Sequence, residues 1–272
     1  MNIPISTSKK IDKTDGTFLF DRIITGTVIS RRLGISLGIN LIPANMKICS
    51  FNCIYCECGN RNLFNNHNTF PQAEQVITEL EKTLGEYQKE QKSIDSITFS
   101  GNGEPTLHPQ FLQIIESVVE LRNKYYPKTV VSVLTNSTRI NKPEISTALS
   151  LVDNPILKID SAIDSTIKKI DCPLEEFYID DVISNILKMK SNIIIQTMLL
   201  KAKINDQIVD NTTEKEISEL IKILKIIRPA KIQLYSISRN TAIQNLEKIC
   251  EQQLKLIAHR VEKEGIKTLV TA

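Results

Sequence analysis

The stretch Gly34-Ile-Ser-Leu-Gly-Ile-Asn-Leu-Ile42, followed closely by Cys49-Ser-Phe-Asn-Cys53-Ile-Tyr-Cys56-Glu-Cys58, decides how the chain is organised. A short Ile- and Leu-rich run ends in a polar loop, and that loop holds four of the six cysteines within ten positions. The same run-then-loop order recurs downstream. Ile- and Val-rich segments at Ser96–Ser100, Thr129–Leu134, Ile156–Asp160, Ile193–Leu199 and Lys231–Ile237, bounded by polar or turn residues, predict strands. Between them, Pro71–Glu90 carries Val76, Ile77, Leu80 and Leu84 at helical spacing behind a first-turn Pro, and Pro109–Lys124 repeats the design. Lys142–Val152, Ile179–Met189, Thr213–Ile227 and Leu246–Glu264 predict four further helices, Thr213–Ile227 opening on a capping-box pattern of Thr212 or Thr213 with Glu214 and Glu216. Six strands alternating with six helices imply parallel βαβ units with right-handed crossovers. No GxGxxG follows the first strand, and polar or Gly-containing segments follow the later ones where α/β barrels gather their chemistry. The expected fold is therefore α/β, a partial (βα)6 TIM-like barrel. Residues 1–20 read as a polar lead-in and 21–272 as a single domain, and the final GIKTLVTA either adds an edge strand or finishes the last helix.

Composition narrows the class. Of 272 residues, 41% are hydrophobic, and 34 Lys and Arg against 31 Asp and Glu leave a formal charge of +3, too small for the footprint of a strong nucleic-acid binder without a local basic patch. No run approaches the roughly 18 uninterrupted apolar residues of a bilayer span. The polar opening MNIPISTSKKIDKTDG lacks the order of a signal peptide, so the expected location is cytoplasmic and the cysteines reduced.

Cys49, Cys53 and Cys56, spaced x3 then x2, bring three soft thiolates around one centre and suit an iron–sulfur cluster or zinc. Three protein ligands on a four-iron cluster leave one iron open to chelate a small molecule. The alternatives are a zinc knuckle of Cys53, Cys56, Cys58 and His67, or buried cysteines without a ligand. Cys58 could face solvent, tune the centre or react with substrate, while Cys172 and Cys250 stand alone in other segments.

At this loop the chain resembles the radical S-adenosylmethionine (radical SAM) superfamily, whose CxxxCxΦC loop has an aromatic in the position of Tyr55. The resemblance implies a 4Fe-4S cluster on Cys49, Cys53 and Cys56, with S-adenosyl-L-methionine as the second cofactor. After the second strand comes Ser100-Gly-Asn-Gly-Glu104, where the superfamily's GGE segment lies. Gly101, Asn102, Gly103 and Glu104 would then hold the methionine amino group, the glycines by close backbone approach and Glu104 by a charge-assisted bond, with Asn102 standing where the family prefers Gly. Thr135 and Asn136 correspond to a segment lining the same pocket.

On the fourth predicted strand Lys158 and Asp160 alternate with Leu157 and Ile159, so both charges share one face. Unpaired charges are costly to bury, which favours a Lys–Asp pair in a wet barrel mouth over a dry core, a solvated edge strand being the other possibility. The superfamily's ribose-binding segment falls here and implicates Asp160 and Ser161. Gln196, Gln233 and Tyr235 are further polar positions within apolar runs, and together they predict a polar mouth.

Beyond the cofactor segments, Phe20-Asp, Gly26-Thr-Val-Ile-Ser30-Arg-Arg-Leu-Gly34, Leu157-Lys-Ile-Asp-Ser-Ala162 and Gln196-Thr-Met are similar to small iron–sulfur oxidoreductases related to the wybutosine-synthesis enzymes, over residues 18–262. Those enzymes rebuild a modified guanosine in tRNA. This chain has no cysteine before Cys49, so the additional N-terminal cluster of the archaeal type is not supplied in the same way. Arg31 and Arg32 could grip a phosphate or carboxylate or pair with surface acids, and Arg239 could meet substrate or the cofactor carboxylate. With Lys158 these are the candidate substrate-binding residues. The resemblance implies an enzyme that cleaves S-adenosylmethionine reductively to a 5′-deoxyadenosyl radical, which takes hydrogen from a substrate. RNA or a peptide leads among substrate classes because an incomplete barrel leaves a lateral opening. An electron donor such as flavodoxin or ferredoxin is the implied partner. Two alternatives stay open: a glycyl-radical-enzyme activase, and a zinc-stabilised nucleic-acid binding module.

Overall fold

The computed structural model describes residues 10–12, 17–44, 46–59, 69–189, 191–204, 206–241, 243 and 245–272. His67, weighed above as a zinc ligand, lies outside them. The chain opens with β1 (Lys10–Asp12) and β2 (Phe18–Phe20), an antiparallel ribbon within the expected lead-in, and continues with the hairpin β3 (Ile24–Ser30) and β4 (Gly34–Ile39). There follow α1 (Ala73–Lys89), β5 (Ser96–Phe99), a 3-10 turn at Pro105–Leu107, α2 (Phe111–Tyr125), β6 (Val130–Thr135), α3 (Pro143–Leu151) and β7 (Asn154–Lys158). The second half runs α4 (Asp164–Ile170), α5 (Ile179–Ile186), β8 (Ile194–Met198), β9 (Leu200–Ile204), β10 (Gln207–Asp210), α6 (Glu214–Ile227), β11 (Lys231–Tyr235), β12 (Leu246–Lys248), α7 (Glu251–Glu262) and β13 (Thr268–Thr271).

The main sheet has eight strands in the order β13-β11-β8-β7-β6-β5-β4-β3, parallel from β4 to β13, with β3 antiparallel at one edge. This is the partial barrel expected from the alternation. Two details differ from expectation, and of the two alternatives for the C-terminal segment the edge strand is the one found. The run Leu246–Glu264 is not one helix, because Leu246–Lys248 pairs antiparallel with β9 and α7 begins only after Cys250. The C-terminal segment joins the sheet beside β11. The helix α4 and the small sheet β10-β9-β12 were not foreseen; α4 has seven residues and buries only Ile167 and Ile170, too few to show a period.

Strand alternation gives the sheet two chemically opposite faces. Leu37, Ile39, Ile97, Phe99, Val131, Val133, Leu157, Ile195, Ile232 and Leu234 point outward and join the helix residues Val76, Leu80, Ile114 and Leu220 in one apolar core. The opposite positions are largely polar, and across β4, β5, β6 and β7 their side chains join directly. Ser36 Oγ lies 2.7 Å from Thr98 Oγ1, Ser96 Oγ bridges Thr98 Oγ1 and Ser132 Oγ at 2.9 Å each, and Asn154 Nδ2 donates to Ser132 Oγ at 3.1 Å. Burial of hydroxyls is tolerable only when each finds a partner, and this ladder supplies them. Helix ends follow local rules: Thr213 caps α6 by accepting from Glu216 N at 3.3 Å, and Arg228 closes it in the left-handed region at φ 49°. Among the described residues no helix is long and apolar enough to cross a membrane.

Thr98→Val keeps the shape of the side chain but leaves Ser36 and Ser96 each short of a buried partner. Unfolding in urea should show a loss of about 1–3 kcal/mol; an unchanged midpoint would mean the hydroxyl ladder contributes nothing.

Candidate functional site

The loop after β4 carries the cysteines and is pinned on both sides. Its residues Asn52 and Ile54 donate backbone bonds to Asp171 O and Ile170 O at 3.0 and 2.9 Å, Leu174 N donates back to Ser50 O at 3.0 Å, and Phe18 N donates to Glu57 O at 3.0 Å. The short helix α4 therefore serves as the buttress of the loop. Two glycines let the second loop approach the first. A Cβ on Gly103 would lie 1.8 Å from Ile48 O, and one on Gly101 2.3 Å from Asn40 Oδ1, so neither position admits a side chain. That approach permits Ile48 N to donate to Asn102 O at 3.2 Å and Glu104 N to Ile48 O at 3.0 Å.

Glu104 ties three loops together. Its Oε1 accepts from Thr106 N at 3.1 Å, Thr106 Oγ1 at 2.7 Å and Thr135 Oγ1 at 2.7 Å; Oε2 accepts from Asn136 N at 2.6 Å. Burial raises its pKa, against the pull of these donors. Asn136 carries the connection onward, donating to Ser50 Oγ at 2.8 Å and to Cys49 Sγ at 3.5 Å. The Asn102 side chain is fully buried: Oδ1 accepts from Phe20 N at 2.8 Å while Nδ2 donates to Phe20 O at 2.9 Å and to Pro43 O and Ala44 O at 3.3 Å. It stitches β2 to the cysteine loop, which explains how Asn is accommodated between the two glycines.

Lys47 was not foreseen. It is 2% exposed, and its Nζ donates to Gly59 O at 2.7 Å and Asn52 Oδ1 at 3.3 Å, with no carboxylate partner among the described residues. Burial works against its charge, but the Cys56 and Cys49 sulfurs beside it, and then Cys53, outweigh that and raise its pKa. The thiols respond unequally. Burial, then Glu104, pushes Cys49 up to about 11, and burial pushes Cys53 well above the ordinary thiol value. Cys56 is held below it, first by a hydrogen bond from Cys58 and then, against burial, by Lys47, while the same bond raises Cys58. None of the six cysteines is in a disulfide, and among the described residues no three His, Cys, Asp or Glu side chains are gathered around a point fit for a single metal ion. Ligands that each hold a separate iron of one cluster need no such convergence. A donor set of three thiols beside a buried ammonium fits a thiolate-held, anionic iron–sulfur group.

Beneath Tyr55 lies a buried charge cluster. The Tyr55 hydroxyl donates to Asp160 Oδ2, Lys158 Nζ stands 2.8 Å from the same oxygen and also pairs with Asp171, and Met198 N donates to Asp160 Oδ1 at 2.9 Å. Burial raises the Tyr55 pKa and Asp160 adds to it, keeping the phenol protonated. Burial opposes the Lys158 charge, but Asp160 and Asp171 hold its pKa well above the ordinary value. The pair predicted for a wet mouth is instead buried at the C-terminal end of the central strand β7, with the Asp160 side chain 0% and the Lys158 side chain 14% exposed. Ser161 turns away, donating to Glu216 Oε2 at 2.6 Å. Glu216, read above as part of a capping box, is thereby used across the fold.

A cavity of about 380 Å3 brings Tyr55, Cys56, Cys58, Gly101, Gln196, Tyr235, Arg31, Arg32 and Arg239 together, with Ser36 and Thr98 beneath. Cys58 Sγ donates to Gly101 O at 3.4 Å on its wall. Cys49 borders a second cavity of about 420 Å3 on the far side of the loop, with Ser50, Thr138 and Arg139. The adjacent arginines part company: Arg31 reaches Ala272 O and, at 2.7 Å, Ser238 Oγ, whereas Arg32 lies 4.5 Å over the Tyr235 ring. Arg239 pairs with Glu57 at 2.7 Å on the rim. Asn102, Gly103, Glu104, Thr135, Asn136, Lys158, Asp160 and Ser161 are not on this cavity's lining. The roles of Asp171 and Glu216 carry no local signature in the sequence, since each acts on a partner in another element, and Lys47 is buried by the folding of its own loop onto Asn52 and Gly59.

A family model described as the Radical SAM superfamily matches residues 46–215. A protein of Brachyspira hyodysenteriae bearing the name GTPase Obg is 30% identical over 237 residues, 85% of this chain but 32% of that protein, so this chain spans about a third of its length. A UPF0026 protein of Synechocystis is 31% identical over 226 residues, 81% of this chain and 77% of its own length. A radical SAM methyltransferase from Sphaerobacter thermophilus superposes with a TM-score of 0.65 at 13% identity, over 98% of this chain and 77% of that one, a likeness of fold.

Glu104→Gln replaces an acceptor oxygen with a donor where backbone and hydroxyl donors converge. The metal-free protein should lose about 1–3 kcal/mol in urea unfolding; full stability would mean that the carboxylate does not hold the loops after β5 and β6 together.

Proposed function

The chain belongs to the radical SAM superfamily and groups with the UPF0026 proteins, and from that premise we propose that it holds a 4Fe-4S cluster on Cys49, Cys53 and Cys56 and acts on its substrate by radical chemistry. The observation that carries this reading is the gathering of three thiols of one loop beside the buried, carboxylate-free ammonium of Lys47, at the C-terminal end of the half-barrel's first parallel strand. When bound, a reduced cluster would supply one electron to the sulfonium carbon–sulfur bond of S-adenosyl-L-methionine, whose cleavage would release methionine and give the adenosyl fragment the capacity to take a hydrogen atom from the substrate. The protein's own residues do the rest.

Lys47 offsets the negative charge that three thiolates bring into a buried place. Glu104 fixes Thr135 and Asn136, and Oε2 keeps a lone pair free for an ammonium at the Gly-rich turn. Gly101 and Gly103 keep that turn close against the cysteine loop. Tyr55, fixed by Asp160, presents its ring to the cavity as an apolar wall on which a purine base can rest. Gln196 and Tyr235 line the same cavity. RNA and peptides remain the proposed substrate classes, a one-electron donor such as ferredoxin or flavodoxin the proposed partner, and the cytoplasm, where free thiols persist, the proposed location.

Anaerobic reconstitution with iron and sulfide, followed by dithionite and S-adenosylmethionine, tests the reading. About four irons per chain and release of 5′-deoxyadenosine are the expected result, and Cys53→Ala should retain the fold but not the iron. Zinc retained without cleavage would hand the loop to a structural role. Lys47→Met should still take up iron but give a centre with a lower midpoint potential in an EPR-monitored redox titration; an unshifted midpoint would remove Lys47 from its electrostatics.

A further inference from the structure

The cavity beside the cysteine loop is lined by a hydrogen-bond donor that has no acceptor. Arg32 Nη1 is buried and has no partner, and its guanidinium is held 4.5 Å over the Tyr235 ring. The stacking fixes the plane of the fork, so its free edge is directed rather than mobile. Among the described residues no carboxylate pairs with it. The acids closest in the fold are spent elsewhere: Glu57 on Arg239, and Asp160 on Tyr55, Lys158 and Met198 N. Two residues before Tyr235 on the same face of β11, Gln233 is 1% exposed and its Nε2 also lacks a partner. Gln233 stands in register with Gln196, which lines the cavity. A buried, unpaired cationic donor is costly, and the cost disappears when a ligand supplies the missing acceptor.

We propose that Arg32 anchors a carboxylate or phosphate on the end of the substrate that enters this cavity, an assignment that rests on the radical-enzyme reading above. Arg31 cannot share the task, since its guanidinium is committed to Ala272 O and Ser238 Oγ. Arg239 is neutralised by Glu57 at the rim, with its side chain 59% exposed. A cavity of about 380 Å3 lies in the range of small-ligand sites, about 300–1,000 Å3, so the group bound is small or is the tip of something larger. A guanidinium fork held by one face suits a bidentate acceptor, and a carboxylate or two oxygens of a phosphate can each supply one.

The test uses inorganic phosphate and malonate as probes, titrated calorimetrically into wild type, Arg32→Gln, Arg32→Lys and, as a surface control, Arg260→Gln. Each is measured metal-free and again after reconstitution with S-adenosylmethionine bound. Wild type should bind at least one probe in both states, the tighter one naming the substrate group, and Arg32→Gln should weaken it about tenfold or more, the worth of one charge-assisted bond. Arg32→Lys, which keeps the charge but not the fork, should fall between. Equal binding by Arg32→Gln and wild type, or no binding of either probe to wild type, overturns the proposal. So does a loss of S-adenosylmethionine affinity in Arg32→Gln as large as the loss for the probe, which would give Arg32 to the cofactor. Failure of the radical-enzyme reading shows separately, as no iron uptake and no cleavage in wild type.

Discussion

A single buried carboxylate sets the geometry of the site. Glu104 sits where the loops after β4, β5 and β6 meet, and its two oxygens collect donors from Thr106, Thr135 and Asn136. Placing a carboxylate there is unfavourable by itself, as the rise in its pKa with burial shows. It is tolerable because hydrogen bonds replace the water it lost. The consequence is that the cysteine loop, the Gly-rich turn and the end of β6 cannot shift independently. Asn136 extends the same tie to Ser50 and Cys49. Residues that belong to three βα units thus behave as one rigid wall, which is the condition for holding a cofactor in a fixed relation to a substrate.

The second determinant is the division of the sheet. Outward positions are apolar and pack under the helices, which secures the fold without drawing on the inner face. That leaves the inner face free to be polar, and Ser36, Thr98 and Gln196 form part of a cavity instead of a sealed hydrophobic interior. Ordinary barrels fill this space with branched side chains. Here the hydroxyls satisfy one another in a ladder, while Arg32 and Gln233 are left with donors to spare. Polarity inside the curve and charge at its edge are therefore one arrangement.

Much of this was legible in the sequence because it is local or periodic. Six of the seven parallel strands follow from short Ile- and Val-rich runs, and the cysteine loop and Gly-rich turn from spacing and position. What was hidden depends on distant pairing. The run at Leu246 has helical composition, yet Leu246–Lys248 extends because β9 offers it an edge. Lys158 and Asp160 alternate as expected for one face, but the third member of their cluster, Asp171, lies beyond α4 and brings them into the interior. Arg31 and Arg32 are adjacent and indistinguishable in sequence; only the fold sends one across to Ala272 and the other over Tyr235. Lys47 shows no periodic signal at all, since its burial comes from the loop that closes over it.

The bridge made by Arg31 also bears on the order in which the molecule assembles. It links the β3–β4 turn to Ala272 and Ser238 across sequence separations of 241 and 207 residues. Contacts of such range carry the largest loop-closure entropy and are made after nearer pairings have shortened the path between them. The part of the cavity lined by Tyr235, Ser236, Ser238 and Arg239 is itself absent until β11 has joined the sheet. A chain still emerging from synthesis has its cysteine loop long before it has an enclosed chamber, so an unfinished molecule that gathers iron early does so with that part open to solvent.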